Sequence, residues 1–185
     1  MSDLRLVSPT DPAAAPLLSG LRQEYHAVYG PEIAVELDRY SPIEFLPPAG
    51  AFLILEQDGI TVAGGALRRL GSGVGEIKHM WTHRAHRGRG HARRVLAALE
   101  EAAVRRGYHT MRLKTGNLQL AAIAVYRWAG YSEVAGYGVN AADPRCVSFE
   151  KRLDGRDHLA PDALDRRDVG VRQMLQHHAL DAGRR

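Results

Sequence analysis

The chain has 185 residues, a formal net charge of +4, 45% hydrophobic residues and 25% charged residues. These values are close to the average for a soluble globular protein, so the chain should fold autonomously. The length suits one domain with a single sizeable core plus an appendage, and it argues against two full domains. No apolar run approaches the roughly 18 residues of a membrane span, so we expect no membrane partner.

The chain contains a single cysteine, Cys146, which excludes an internal disulfide. The start MSDLRL has neither the basic leader nor the apolar stretch of a signal peptide. We therefore expect a cytoplasmic location. Cys146 lies in a strand-like stretch, and we interpret it as a small buried hydrophobic residue without a reactive role.

Nine elements are predicted from hydrophobic periodicity and turn residues. In chain order they are a strand, a helix, three strands, a helix, a strand, a helix and a strand, over residues 4–7, 17–29, 51–56, 60–70, 76–82, 91–106, 110–115, 119–128 and 147–151. Gln57-Asp58-Gly59 is a strong hairpin signal. Four prolines between positions 31 and 48 leave 33–45 at best a short helix.

The helix over 91–106 has the clearest pattern. An apolar residue recurs at the spacing of one helical face, charged residues fill the other face, and Gly107 ends the helix as a C′ glycine would. The apolar positions are Ala92, Val95, Leu96, Leu99 and Ala103. The order of strands and helices predicts an α+β fold with a mixed sheet.

Directly before this helix, eight of the twelve residues from His83 to Arg94 are His or Arg. Gly88 and Gly90 remove side chains where a backbone would approach a ligand closely. The N-terminus of a helix favours phosphate because its first N–H groups lack partners and the helix dipole is positive there. This segment predicts a phosphate-bearing ligand, and its confined basicity favours a site over a general nucleic-acid surface.

The residues resemble the GNAT superfamily of N-acetyltransferases over most of 1–153. The acetyl-CoA signature reads here Arg87-Gly88-Arg89-Gly90-His91-Ala92, and the pattern that ends in aromatic-x-x-x-Gly-aromatic spans Ala122 to Tyr131. The LKTG at Leu113 to Gly116 and the FEKRL at Phe149 to Leu153 are also similar to this group. The resemblance implies a mixed, mostly antiparallel sheet flanked by helices, with 1–153 as the acetyltransferase domain.

The resemblance also implies acetyl-CoA as the cosubstrate, with no metal. The pyrophosphate would lie on the backbone N–H groups of Arg87 to Ala92, and the guanidinium groups of Arg87 and Arg89 would add charge-assisted hydrogen bonds. The pantetheine arm would bind as an extra strand on Met80, Trp81 and Thr82. A backbone N–H there would polarise the thioester carbonyl.

Tyr126 stands where the family has its general acid, since a phenol stays protonated at neutral pH and can donate to the leaving thiolate. The alternative is that it packs beside Trp128 and Tyr131. Glu76 stands eleven residues before Arg87, where some members carry the carboxylate base.

His79 is the rival base because the reference pKa of histidine is near neutral. Strand alternation places Glu76 and Lys78 on one face and Ile77 and His79 on the other, unless a bulge intervenes. Gln119 resembles an asparagine position that contacts the pantetheine or the acceptor in relatives. Its alternative role is a helix cap.

The clustered histidines raise the hypothesis of a metal site. His83, His86 and His91 lie close in sequence, and His177 and His178 are adjacent. Neither set has a cysteine or carboxylate at a recognisable ligand spacing, so we predict no metal.

The acceptor region, 17–46 and 132–147 by the resemblance, carries the acids Glu24, Glu32, Glu36, Asp38 and Glu44 in its first part. They suggest a cationic small amine or a basic peptide tail, unless they are solvated helix faces. The extension 154–185 has an incomplete apolar stripe and is predicted to form a helix that docks on the core or crosses to a partner subunit in a homodimer.

The sequence thus predicts an acetyl-CoA-dependent N-acetyltransferase that acts on a primary amine of a small molecule or peptide through a ternary complex. One alternative is a coenzyme A-binding regulator of the same fold without turnover. A nucleic-acid-binding module built on His83 to Arg94 would leave the second motif unexplained and lacks interleaved aromatics for stacking, so no nucleic-acid partner is expected.

Overall fold

The structure, a computed structural model, describes residues 2–31 and 37–153. Its regular elements are seven strands and three α-helices within these residues. They are β1 (Ser2–Leu6), α1 (Ala15–Tyr29), β2 (Ala51–Gln57), β3 (Ile60–Gly71), β4 (Val74–Thr82), α2 (His91–Arg105), β5 (Thr110–Gly116), α3 (Leu120–Trp128), β6 (Ser132–Val134) and β7 (Cys146–Arg152). The predicted α+β class is confirmed, and all nine predicted elements are present.

The strands of the described residues form one seven-stranded sheet in the order β1-β2-β3-β4-β5-β7-β6. The β4–β5 pairing is parallel and the other pairings are antiparallel, so the mixed, mostly antiparallel sheet is confirmed. Strand β6 is an addition to the prediction. It has only three residues and no apolar alternation, and its pairing with β7 holds it in the sheet.

Both faces of the sheet are covered. Along β2, Ala51, Leu53 and Leu55 pack into a core shared with α2, while Phe52 and Ile54 pack into a second core with α1. Because both faces are buried, β2 reads as a continuous apolar run without polar alternation. Helices α1 and α2 thus pack on opposite faces of the sheet and fix the positions of its central strands.

Helix α2 forms as its pattern predicts, and Val95, Leu96, Leu99 and Ala103 are buried. Ala92 is only partly buried. Arg106 is the C-cap residue of α2, and its Nε donates to the backbone oxygen of Gly50 at 3.0 Å.

The central strands diverge. Strand β4 pairs with β5 only from Val74 to Ile77, although β4 continues to Thr82 and β5 to Gly116. Strand β4 also contains a bulge, because Gly64 pairs with Trp81 while Ala66 pairs with Lys78, which leaves one extra residue on β4. His79 within the bulge has a φ of 55°. The two strands therefore separate at the middle of the sheet.

Of the predicted short helix over 33–45, the described part contains a 3₁₀ turn at Pro42–Phe45, capped reciprocally by Ser41 and Glu44. The predicted C-terminal helix within 154–185 lies outside the described residues. Among residues 2–31 and 37–153, no helix is both long and apolar enough to cross a membrane.

Gly64 is required by close packing under α1. A Cβ there would meet the Leu53 backbone oxygen at 2.5 Å and also the Leu17 side chain. We expect Gly64→Ala to lower the free energy of unfolding by about 1–3 kcal/mol, because the sheet backbone must shift to relieve the overlap. Urea denaturation measures this loss.

The matched control is Gly71→Ala at the end of the same strand, where an added Cβ has no neighbour within 4 Å. Equal stability of the two variants would contradict the packing argument.

Candidate active site

A cavity of about 430 Å³ opens where β4 and β5 separate. Four elements line it. They contribute Leu21, Glu24, Tyr25 and Tyr29 from α1, Ile77 to Met80 from β4, Lys114 to Gly116 from β5, and Ala122 and Tyr126 from α3, with Gln119 just before α3. Leu37, Arg39, Asp143, Arg145 and Cys146 complete the lining. The split in the sheet therefore gives a ligand access to both strands and to α3.

Tyr126 lies at this cavity, as one of its two predicted roles requires. Its ring also packs on Tyr131 and Phe149, with centroids 6.0 Å apart in each pair. Burial, and to a lesser extent the nearby Tyr25, raise the pKa of Tyr126 well above the usual value of a phenol. The hydroxyl is consequently protonated across the physiological range.

Glu76 is placed differently. Its side chain is 1% exposed and is not among the cavity-lining groups of the described residues. Its Oε2 accepts a hydrogen bond from Arg68 Nε at 2.8 Å, and its Oε1 accepts one from the Tyr137 hydroxyl at 3.0 Å. Lys78 Nζ is 3.5 Å from the same Oε1. The structure thus does not bring Glu76 together with Tyr126, and its role as a base stays a prediction.

His79 lies where strand alternation does not put it. The extra residue in the bulge turns its ring towards Phe45 and Phe52, with centroids 4.9 and 6.2 Å away. These phenylalanines belong to the core on the α1 side of the sheet. Glu76 and Lys78 point to that side too, beside Arg68 and Tyr40. Strand alternation puts His79 and Glu76 on opposite faces unless a bulge intervenes, and the bulge is present, so the two residues lie on the same side of the sheet.

The loop before α2 has the backbone geometry of an anion cradle. Gly88 and Gly90 have φ values of 74° and 79°, a region that glycine adopts without strain. The first intrahelical bond is donated by Arg94 to Gly90, so the N–H groups of His91 and Ala92 precede the helical ladder. An added Cβ at either glycine would meet nothing within 4 Å. The glycines are therefore required for backbone conformation.

Of the two predicted phosphate arginines, Arg87 is anchored. Its Nη2 donates to Glu24 of α1, and its Nε donates to the Thr82 backbone oxygen at 3.1 Å. Arg89 is exposed on the loop. The guanidinium of Arg87 thus lies between the loop, the end of β4 and α1.

Three histidines pack beside this loop. The ring centroids of His83 and His86 are 5.5 Å apart, and those of His86 and His91 are 6.4 Å apart. Burial lowers the pKa of His91, and positive charge from His86, Arg89 and Arg94 lowers it further. The imidazole of His91 is therefore neutral at pH 7, and binding of phosphate by its backbone N–H stays a prediction.

The predicted pantetheine strand is partly at the cavity. Met80 lines the cavity, whereas the indole of Trp81 is buried under α1 in contact with the position of Gly20. Thr82 lies at the end of β4 beside Arg87. The burial of the indole leaves Trp81 only its backbone groups for the predicted role, and the role of Thr82 stays a prediction.

Gln119 combines its two predicted locations. It is the N-cap residue of α3, without a side-chain capping bond, and it also lines the cavity. Cys146 is only partly buried and lines the same cavity, so the interpretation of it as a fully buried residue is wrong.

The acids of the acceptor region are neutralised where the structure describes them. Glu24 pairs with Arg87, Asp38 pairs with Arg22, and Glu44 pairs with Arg68. Glu32 and Glu36 lie outside the described residues. Sequence reasoning missed the cationic lining residues Lys78, Lys114 and Arg39, since only the fold brings β4, β5 and 37–39 together.

Residues 17–131 match the family model described as the acetyltransferase (GNAT) family. The chain belongs to the GNAT family of acetyltransferases. This GNAT protein is 30% identical over 147 residues to an IAA acetyltransferase of Azospirillum brasilense, an alignment that covers 79% of this chain and 94% of that one. The predicted family and the predicted acyltransferase class are confirmed.

Solved structures agree with this GNAT protein in fold. A protein from Klebsiella pneumoniae assigned as an acyl-CoA N-acyltransferase has a TM-score of 0.70 and 30% identity, with 83% of this chain and 99% of that chain covered. The structure of yncA from Salmonella typhimurium, assigned as an acetyltransferase and solved with its cofactor acetyl-CoA, has a TM-score of 0.63 and 20% identity. It covers 88% of this chain and 98% of its own. The GNAT-like architecture is thus confirmed.

The buried position of Glu76 makes a prediction about stability. Glu76→Gln leaves the Arg68 guanidinium, which is 13% exposed, without its closest buried carboxylate. We expect a loss of about 3 kcal/mol in the free energy of unfolding, measured by urea denaturation, because breaking one partner of a buried ion pair is costly.

Glu150→Gln is the matched control. Glu150 pairs with Arg112 on neighbouring strands, but their side chains are 29% and 37% exposed. We expect that variant to lose less than about 1 kcal/mol. A similar loss in both variants would argue against a special structural role for Glu76.

Proposed function

We propose that this GNAT protein transfers the acetyl group of acetyl-CoA directly to a primary amine of a small molecule or peptide in a ternary complex. The observation that carries the proposal is the divergence of β4 and β5 beyond Ile77, which opens a cavity with Tyr126 on its wall. The match to the acetyltransferase family supports it.

The donor would bind along the opening. Beyond Ile77, the described residues of β4 have no β5 partner, so backbone groups of Met80 to Thr82 can bond to an extended amide arm. The pyrophosphate would rest on the N–H groups of Gly88 to Ala92, at the positive end of the α2 dipole. Arg87 and Arg89 lie on the same loop. The acetyl-CoA held by the similar fold of yncA supports this assignment.

The chemistry then needs two proton transfers. The amine nitrogen loses a proton and attacks the thioester carbon, and the tetrahedral intermediate breaks its C–S bond. The leaving thiolate takes a proton from the Tyr126 hydroxyl, so the products are the N-acetyl amine and coenzyme A with its free thiol. The tyrosinate then recovers a proton through the open cavity.

The proton from the amine can be accepted in two ways. His79 lines the cavity on the bulge, which favours it by position. Glu76 is held by Arg68 and Tyr137 behind the lining, and it would have to act through an intervening group. We therefore place His79 ahead of Glu76 as the accepting group.

Tyr126→Phe tests the general acid. We expect acetyl-CoA binding, measured by calorimetry, to stay within about twofold and the rate of thiol release to fall about 10²–10⁴ fold. Tyr131→Phe is the matched control, because Tyr131 packs on Tyr126 but is not a cavity-lining residue of the described chain. Unchanged turnover in Tyr126→Phe would remove this hydroxyl from the mechanism.

The raised pKa of Tyr126 predicts how kcat depends on pH in the alkaline range. The acid form persists as pH rises, so kcat should show no fall from loss of this proton up to about pH 10. A basic limb that begins near pH 8 in the wild-type protein would contradict its assignment as the acid.

The anion cradle is tested by charge. Ala92→Glu places a carboxylate in the first turn of α2, where it should repel the pyrophosphate and weaken acetyl-CoA binding at least about tenfold, while the helix itself is stabilised by up to about 1 kcal/mol. Ala97→Glu on the exposed side of the same helix is the control. Calorimetric titration and thermal unfolding give the two readouts. Unchanged binding in Ala92→Glu would place the phosphates elsewhere.

A coenzyme A-binding regulator without turnover remains the alternative that these measurements separate. Tight acetyl-CoA binding with no thiol release from any amine would favour it over the proposed transferase.

A further inference from the structure

The lining of the cavity is rich in cationic side chains. Lys78, Lys114, Arg39 and Arg145 are among its lining residues. Within residues 2–31 and 37–153, the acids in that lining are Glu24 and Asp143. A pocket that binds cationic amines through their charge would show the opposite balance.

Both of these acids are engaged by arginines. Glu24 forms an ion pair with Arg87. Asp143 accepts from Arg145 with both carboxylate oxygens, at 3.1 Å from Nε and 2.9 Å from Nη2. Their charges are therefore matched locally, and the remaining lysines and Arg39 give the described lining a net positive charge.

Lys78 and Lys114 reach the same place from two strands. Lys78 Nζ approaches Glu76 Oε1, the oxygen that also accepts from the Tyr137 hydroxyl at 3.0 Å. Lys114 Nζ lies 4.9 Å from the centroid of the Tyr137 ring and donates to the Tyr137 backbone oxygen at 3.3 Å. Glu76 and Tyr137, which bond to each other, thus hold one ammonium group each, although the two lysines come from strands that have already separated.

The carboxylate of Glu76 does not cancel this pair of lysines. Its second oxygen is bonded to Arg68, which also pairs with Glu44 at 2.8 Å. Around Tyr137, the cations Arg68, Lys78, Arg112 and Lys114 outnumber the anions Glu44, Glu76 and Glu150 by one. Glu76 bonds to members of this cluster without lining the cavity, whereas Lys78 and Lys114 line it.

We propose that the acceptor amine carries a carboxylate, and that Lys78 and Lys114 bind this carboxylate from the lining of the cavity. The inference rests on the proposed function, because it names the substrate class of the same site. An ammonium group has three N–H donors, so each lysine can bond to a carboxylate oxygen in addition to its present partners. The amine would then be directed towards the thioester, and this charge pattern disfavours polyamines and basic peptide tails.

Two sources share this chemistry, namely free amino acids and short peptides that present a carboxylate near the amine. The test compares each L-amino acid of a panel with its α-carboxamide, and adds dipeptides with a terminal carboxylate and polyamines. Thiol release from saturating acetyl-CoA gives kcat/KM for every acceptor. We expect at least one carboxylate acceptor to exceed its carboxamide by about tenfold or more, and polyamines to be the poorest acceptors.

Lys78→Met and Lys114→Met should each reduce that carboxylate preference to about twofold, mainly through KM of the acceptor, while acetyl-CoA binding stays unchanged and reports a folded protein. Arg105→Met is the matched control. Arg105 is a half-exposed cation on α2 outside the cavity, so the Arg105→Met variant should keep the carboxylate preference of the wild type.

A second readout does not depend on turnover. An N-acetyl amino acid should bind to the coenzyme A complex more tightly than its carboxamide in calorimetry, and Lys114→Met should remove the difference. Equal or better use of carboxamides or polyamines would overturn the carboxylate inference and leave the proposed transferase intact. No thiol release from any amine, with acetyl-CoA bound, would overturn the proposed function and this inference with it.

Discussion

The separation of β4 from β5 is the constraint on which the site depends. The two parallel strands share hydrogen bonds only as far as Ile77 and Leu113, and the bulge at His79 turns the rest of β4 aside. Buried backbone groups need partners, so strands that separate inside a covered sheet leave donors and acceptors for a ligand. The two apolar cores on either side of the sheet hold this opening in place. Packing in the two cores thus stabilises a sheet whose hydrogen-bond ladder is incomplete at its centre.

Local patterns in the sequence were sufficient for much of this arrangement. The apolar spacing of 91–106 and Gly107 located α2 to within one residue, and Gly88 and Gly90 before it have the positive φ values of a tight loop. The motif Ala122 to Tyr131 placed Tyr126 on a helix, where it lines the cavity. These features are encoded within short stretches, where period, capping and turn chemistry act directly.

What the sequence could not provide was the set of contacts between distant segments. The partners of Glu24, Glu44 and Glu76 lie 63, 24 and 8 residues away, and those pairings turn an acidic stretch into a neutral one. The bulge at His79 also has no local signal, since a histidine at positive φ is held by the register of β3 against β4. Strand β6 exists only because β7 offers it an edge.

The segment between β6 and β7 contributes Asp143 and Arg145 to the cavity lining, and its Tyr137 bonds to two central strands, through the hydroxyl to Glu76 and through the backbone oxygen to Lys114. The loop with Gly88 and Gly90 lies in a different part of the chain, between β4 and α2. A substitution within residues 135–145 would consequently alter the cavity lining without changing that loop. A fold divided in this way allows the lining to diversify by loop replacement, with Glu76 and Lys114 as the points at which Tyr137 joins the sheet.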